Sequence, residues 1–177
     1  QGGLDANGNP TPALVSTAIN AGASIVNYTG HGSQDAWSTS GFSSSNVTAL
    51  TNDNMLPIIF SVACVNGDFT NGTCFAEAWL RASHNGHPSG ASATLMSTIN
   101  QSWDPPMCGQ DEMNEILVET FPNNIKRTFG GISMNGCMKM NDEYGSDGTE
   151  MTDTWTCFGD PSLMVRTAMP QAIAASH

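Results

Sequence analysis

Charge is what this chain has least of. Charged residues make up 12% of its 177 residues, and only five are basic: Arg81, Lys126, Arg127, Lys139 and Arg166. The formal net charge is −11. Phosphate backbones are gripped by Lys and Arg, so nucleic acid is excluded as a partner. The same deficit argues against docking on anionic lipid. No apolar run approaches the ~20 residues of a membrane-spanning helix. No signal peptide opens the chain, and Gln1 reads as a processed or trimmed end. Cysteine is sparse: Cys64, Cys74, Cys108, Cys137 and Cys157, an odd count that leaves at least one thiol unpaired. These five show no CxxC spacing and no clustering with histidine. His84 and His87 flank Asn85-Gly86, but Pro88 follows and no third ligand stands by, so zinc is discounted. No GxSxG, P-loop or HExxH motif occurs.

What the chain does have is two apolar runs that each end in a reactive side chain. Ile25-Val26-Asn27-Tyr28-Thr29 leads into Gly30-His31-Gly32, and Pro57-Ile58-Ile59-Phe60-Ser61-Val62-Ala63 leads into Cys64. Short β-branched runs bounded by Gly and Pro read as buried strands of a parallel sheet. In open α/β sheets, ligand and catalytic groups gather beyond the carboxyl ends of strands. Neighbouring parallel strands would set His31 beside Cys64 there. A thiol within reach of an imidazole is the minimal kit for a cysteine nucleophile. Each residue alone has a plainer explanation: a small buried hydrophobe for Cys64, a turn residue for His31.

The length suits one domain with a real core. Residues 1–10 read as a Gly-, Asn- and Pro-rich loop, and Asp5–Asn9 is not followed by the glycine and closing acid of a calcium loop. Helices are expected over 11–21, 44–51, 74–86 (closed by Gly86), 109–120 and within 123–143. A third buried strand is expected over 90–98, a long loop over 99–107, and an edge strand over 158–166.

The wider segments resemble the gingipains, a family of cysteine peptidases in the clan of caspases and legumains, and within it the arginine-specific branch. The resemblance is carried by Asn27–Ser33, Val62–Phe69, Cys74–Glu77, Ser97–Trp103, Gly109–Glu115, Asn123–Gly131 and Phe158–Leu163. It runs from about residue 20 to about residue 168. It implies a caspase-like three-layer α/β fold, with a mainly parallel sheet flanked by helices. Such a sheet has six strands, two of them before the histidine-bearing one. This chain then reads as the carboxyl-terminal half only: residues 1–170 as a portion of a catalytic peptidase domain, 171–177 as a tail. An upstream chain or segment of the same precursor would complete the sheet, because a central strand with an open edge is sticky in water.

The resemblance also implies roles. Cys64 is the nucleophile and His31 the proton donor to the leaving amine. The amides of Gly32 and Cys64 form the oxyanion hole. Gln101, Trp103 and Met107 line the pocket for a substrate arginine, with an amide oxygen accepting from the guanidinium and an aromatic face beneath its stem. Lysine is an open second choice. The acid that would neutralise the substrate charge lies upstream of the histidine in the family, in a segment missing here; Asp35 and Asp104 are nearby acids, without support from the family. Cys108 stands where arginine-type relatives carry an arginine. No cofactor is implied for catalysis. Structural calcium is implied at the Phe69 carbonyl, Glu77, Asp111 and Glu112, although Asp111-Glu112 equally read as acids at a helix start. Proteins or peptides with arginine at the cleaved position are the implied partners, and the implied location is secreted, extracellular or at the cell surface. Few basic residues would also spare such a protease from itself. The rival reading is a non-catalytic binding or interaction module of the same fold.

Overall fold

A computed structural model describes residues 8–166, and the expected tail 171–177 lies outside them, as does most of the Asp5–Asn9 stretch. The elements in chain order are α1 Pro12–Asn20, β1 Ile25–Thr29, β2 Gly32–Ser33, β3 Ala36–Trp37, β4 Phe42–Ser43, α2 Ser44–Thr48, β5 Ile58–Val62 and α3 Phe75–Arg81. Then come β6 Ser83–His84, β7 His87–Pro88, β8 Ala93–Ser97, α4 Asp104–Leu117, α5 Phe129–Tyr144, α6 Ser146–Thr154 and β9 Trp155–Gly159.

Four strands form the main sheet in the order β1-β5-β8-β9. The first three run parallel, with Ile25 opposite Ile58 and Thr29 opposite Val62. β9 is antiparallel to β8. β5 and β8 are buried at every position, as apolar runs covered on both faces must be. Alternation along β5 divides the core in two. Ile58, Phe60 and Val62 face α4 and α5 through Met113, Ile116, Phe129 and Ile132. Ile59 and Ala63 face the other side, against Phe75 and Trp79 of α3 and Ile19 of α1. Helices therefore cover both faces, as a three-layer fold requires.

β1 lies at the rim, paired on its β5 side only among the described residues. Its side chains are half-buried or exposed throughout. An apolar groove of about 370 Å³ runs along it, lined by Leu14, Val15, Ala18, Ile25, Val26 and Tyr28 among others.

Several elements differ from the sequence expectation. The helix expected to Gly86 stops at Arg81, and a hairpin follows. Asn85 and Gly86 both take positive φ, 50° and 81°, the pair of angles a type I′ hairpin turn demands. The expected loop 99–107 ends early, because α4 begins at Asp104. Pro105 and Pro106 open that helix, where their missing N–H groups cost nothing. α6 was not anticipated. Its polar, Gly-containing SDGTEMTDT buries only Gly148 and Met151, so it carries little apolar period. The last strand runs 155–159, not 158–166, because α6 delivers Trp155 straight into it.

Candidate active site

β1 and β5 end side by side. Their register closes at Thr29 and Val62, and the Gly30 N–H extends it to the Val62 carbonyl at 3.1 Å. Two residues further along each strand stand His31 and Cys64. The His31 loop is held by its own backbone: its N–H donates to Thr39 Oγ1 at 2.9 Å, and its carbonyl accepts from Ser38 N–H and from the Tyr28 hydroxyl, both at 2.8 Å. The Tyr28 ring is stacked on Trp37 with centroids 4.6 Å apart. Gly30 permits this, since a Cβ there would lie 2.6 Å from the Tyr28 hydroxyl.

The His31 carbonyl–Ser38 bond also fixes the phase of the β2–β3 hairpin. Hydrogen-bonded pairs alternate along an antiparallel ladder, so the Gly32–Trp37 pair lies between two of them. The Gly32 N–H is thereby left outside the ladder. The Cys64 N–H likewise makes no hydrogen bond among the described residues.

After Cys64 the chain turns sharply. Val65 has φ 49°, a left-handed conformation that a β-branched residue rarely adopts. Such a conformer costs on the order of 1–3 kcal/mol and persists only where the surroundings enforce it. Here the Val65 N–H donates to the Ile99 carbonyl and Gly67 N–H to Ser97, at 3.0 and 2.8 Å, tying the turn to the end of β8.

A small cleft opens at this point, lined by Gly30, Val62, Ala63, Cys64, Gln101, Ser102 and Trp103. Cys64 is half-buried, and its thiol faces the Gln101 carbonyl at 3.8 Å. Trp103 is 44% exposed and meets the His31 ring edge-on, with centroids 5.4 Å apart. The cleft brings Gln101 and Trp103 to Cys64 as expected and adds Ser102. Met107 is not among its lining residues. It sits in the first turns of α4, half-buried against the α4–α5 side of the core.

Gln101 departs from its expected role. The oxygen expected to receive a guanidinium accepts instead from the Ala63 N–H at 3.0 Å. Its Nε2 is buried without a partner.

The four calcium positions are not brought together. Glu77 stands in the first turn of α3 and caps it, Oε2 accepting from Cys74 N–H at 2.9 Å. Phe69 exposes its side chain in the preceding loop, against Phe158. Asp111 and Glu112 lie on α4, across the sheet from α3. Among the described residues no group of three His, Cys, Asp or Glu gathers to hold a metal. A single calcium site from these four residues does not fit this geometry.

Comparison with known proteins adds the family. The model of peptidase family C25 matches residues 5–166. The chain belongs to that family. It is 61% identical over 161 residues to gingipain R2 of Porphyromonas gingivalis, across 90% of this chain and 22% of that protein. Lys-gingipain HG66 of the same organism is 29% identical over 117 residues, covering 66% of this chain and 6% of its own length. The crystal structure of the Arg-specific cysteine proteinase gingipain R superposes with a TM-score of 0.90 at 58% identity, over 94% of this chain and 38% of that one. A complex of the pro- and mature domains of Porphyromonas gingivalis RgpB gives a TM-score of 0.88 at 59% identity, over 94% of this chain and 39% of that one. The chain thus spans under half the length of these relatives, and the caspase-like α/β architecture is shared with them.

Proposed function

We propose that this chain is the catalytic half of a secreted cysteine endopeptidase that cuts after arginine through Cys64 and His31. The observation that carries this reading is the junction of two strand ends: a thiol on one, an imidazole on the other, and unengaged N–H groups at Gly32 and Cys64.

The chemistry follows from those atoms. Cys64 gives its thiol proton to His31 as Sγ attacks the carbonyl carbon of the scissile bond, and the carbonyl oxygen takes the negative charge. The Gly32 and Cys64 amides are donors for that oxyanion. His31 gives a proton to the leaving amine, the C–N bond breaks, and a thioester remains. Water then attacks the thioester, His31 takes its proton and passes it to the departing Sγ, and the acid leaves with the thiol restored.

Arginine preference rests on Trp103 and on kinship. The exposed indole offers a flat face to a planar guanidinium stem. The 61% relatives are named gingipain R, whereas the Lys-gingipains stand at 29% identity or below. The acid that pairs with the guanidinium is assigned to an upstream segment of the same precursor, which also pairs with β1 and fills the groove beside α1. Secretion belongs to the same reading, and recovery of activity from culture medium is its check. No helix among the described residues is long and apolar enough to cross a membrane.

The test is covalent labelling of the full protein with an arginyl chloromethyl ketone. The expected result is a single adduct, mapped by peptide mass to Cys64 and lost on Cys64→Ala. Labelling at another thiol, or faster labelling by an aspartyl analogue, overturns the reading.

A further inference from the structure

A buried amide two residues beyond Cys64 joins the two halves of the site. Asn66 is fully buried. Its Nδ2 donates to the Ser33 carbonyl at 2.6 Å and the Ala36 carbonyl at 3.0 Å. Those carbonyls stand at either end of the turn that closes the β2–β3 hairpin, the hairpin that begins at Gly32. Its Oδ1 accepts from the Ser61 hydroxyl at 3.1 Å, and Ser61 Oγ accepts from Trp37 Nε1 at 3.0 Å. Ser61 is itself buried, in the strand that delivers Cys64. The side chain therefore spends both its donors on the histidine loop and anchors its acceptor on the nucleophile strand.

A reciprocal tie runs the other way. Gln34, in the hairpin turn, donates from Nε2 to the Asp68 carbonyl at 2.8 Å and the Asn71 carbonyl at 3.0 Å, both beyond the nucleophile. Its own carbonyl accepts from Phe75 N–H at 2.7 Å. The left-handed Val65 turns the chain so that Asn66 points inward.

We infer that Asn66 is a positioning residue for this reaction: through Ser33 and Ala36 it fixes Gly32 and His31 relative to Cys64, with Ser61 orienting its amide and Gln34 bracing the same joint. The inference rests on the catalytic reading above. It differs from a purely structural role in what it moves. A buried polar network that is fully satisfied holds one geometry, and small misplacements of reacting groups cost rate more than binding. The Cys64 thiol hydrogen-bonds to the Gln101 carbonyl and not to Asn66, so its accessibility to a small alkylating agent does not depend on the clamp's bonds.

The test compares Asn66→Ala, Ser61→Ala and Gln34→Ala in the full protein. Asn66→Ala is expected to lower kcat at least 30-fold with KM within about threefold of wild type. Iodoacetamide should still alkylate Cys64 within about threefold of the wild-type rate. Ser61→Ala and Gln34→Ala should lose kcat in the same sense by a smaller factor, with near-native melting temperatures. Should Asn66→Ala not fold, these two decide by the same criteria. Folded variants with kcat within threefold of wild type overturn the inference, as does a loss of kcat that simply follows melting temperature across the set. Cys64→Ala separates the two proposals. If it retains turnover, the catalytic reading fails. If it is inactive while folded Asn66→Ala is normal, only the positioning role fails.

Discussion

The Cα of Gly32 lies against the carbonyl oxygen of Cys64. A Cβ on Gly32 would sit 2.5 Å from that oxygen, 2.9 Å from the Ala63 Cβ and 3.0 Å from Asn66 Nδ2. No flexible side chain can move aside, because the nearest obstacle is backbone. Space demands glycine here, not an unusual φ, since Gly32 is absent from the residues with positive φ.

Gly32→Ala should therefore part the His31 and Cys64 loops. Overpacking of this kind costs about 1–3 kcal/mol. A shift near 1 Å between reacting groups costs on the order of 100-fold in rate. Urea unfolding and kcat/KM on an arginyl substrate measure the two effects. A variant that is folded and fully active would mean the two loops are slack at this contact.

His31→Ala should lower kcat/KM by about 10²–10⁴, the usual contribution of a positioned proton donor. The loop itself should survive, because its hydrogen bonds run through the His31 backbone and not its ring. Iodoacetamide should still reach Cys64. Near-normal cleavage would reduce His31 to a turn residue.

Cys137 sets an alkaline limit on stability. Burial is the main cause that pushes its thiol up from 9.0 to about 11. Unfolded chains lose this proton near the lower value, native chains near the higher. The contribution is complete below about pH 9 and is lost as pH rises toward 11, to a total on the order of 2 kcal/mol. Denaturant titrations from pH 8 to 11 should show this decline, and Cys137→Ala should make it shallower, the Cys74, Cys108 and Cys157 thiols being raised in the same direction. An unchanged slope in the variant would assign the decline elsewhere.

Much of the site was legible because its signals are local. A β-branched run ending in Gly-His-Gly, and another ending in Ala-Cys, mark both strand ends without reference to the rest of the fold. The positions that escaped notice depend on partners far along the chain. Ser61 and Asn66 look like ordinary polar residues until Trp37 and the Ser33 and Ala36 carbonyls fold against them. Nothing local to Gln101 signals that its oxygen is taken, because the bonded Ala63 N–H lies far back in the chain. The hairpin after α3 does have a local signal in Asn85-Gly86, a pair that serves equally as a helix stop and as an I′ turn. α6 had none, since its packing rests on Gly148 lying against the α5 backbone rather than on an apolar stripe.

The open edge of β1 makes the last prediction, and it reaches single amides. Gly30 N–H bonds to Val62, and along a parallel strand the N–H groups alternate in direction. The amides of Val26 and Tyr28 therefore point to β5, while those of Asn27 and Thr29 point away from it. Asn27 and Thr29 are also exposed in side chain. In this chain alone, hydrogen exchange should be slow at Val26, Tyr28 and Gly30 and fast at Asn27 and Thr29. Adding the upstream segment proposed above should protect Asn27 and Thr29 by at least tenfold, because a strand docking on β1 would take up their free N–H groups. The groove beside Leu14 and Val26 should lose its binding of a hydrophobic dye in the same titration. Protection of Asn27 and Thr29 in the chain by itself would mean that β1 is already paired, and no segment would be needed at that edge.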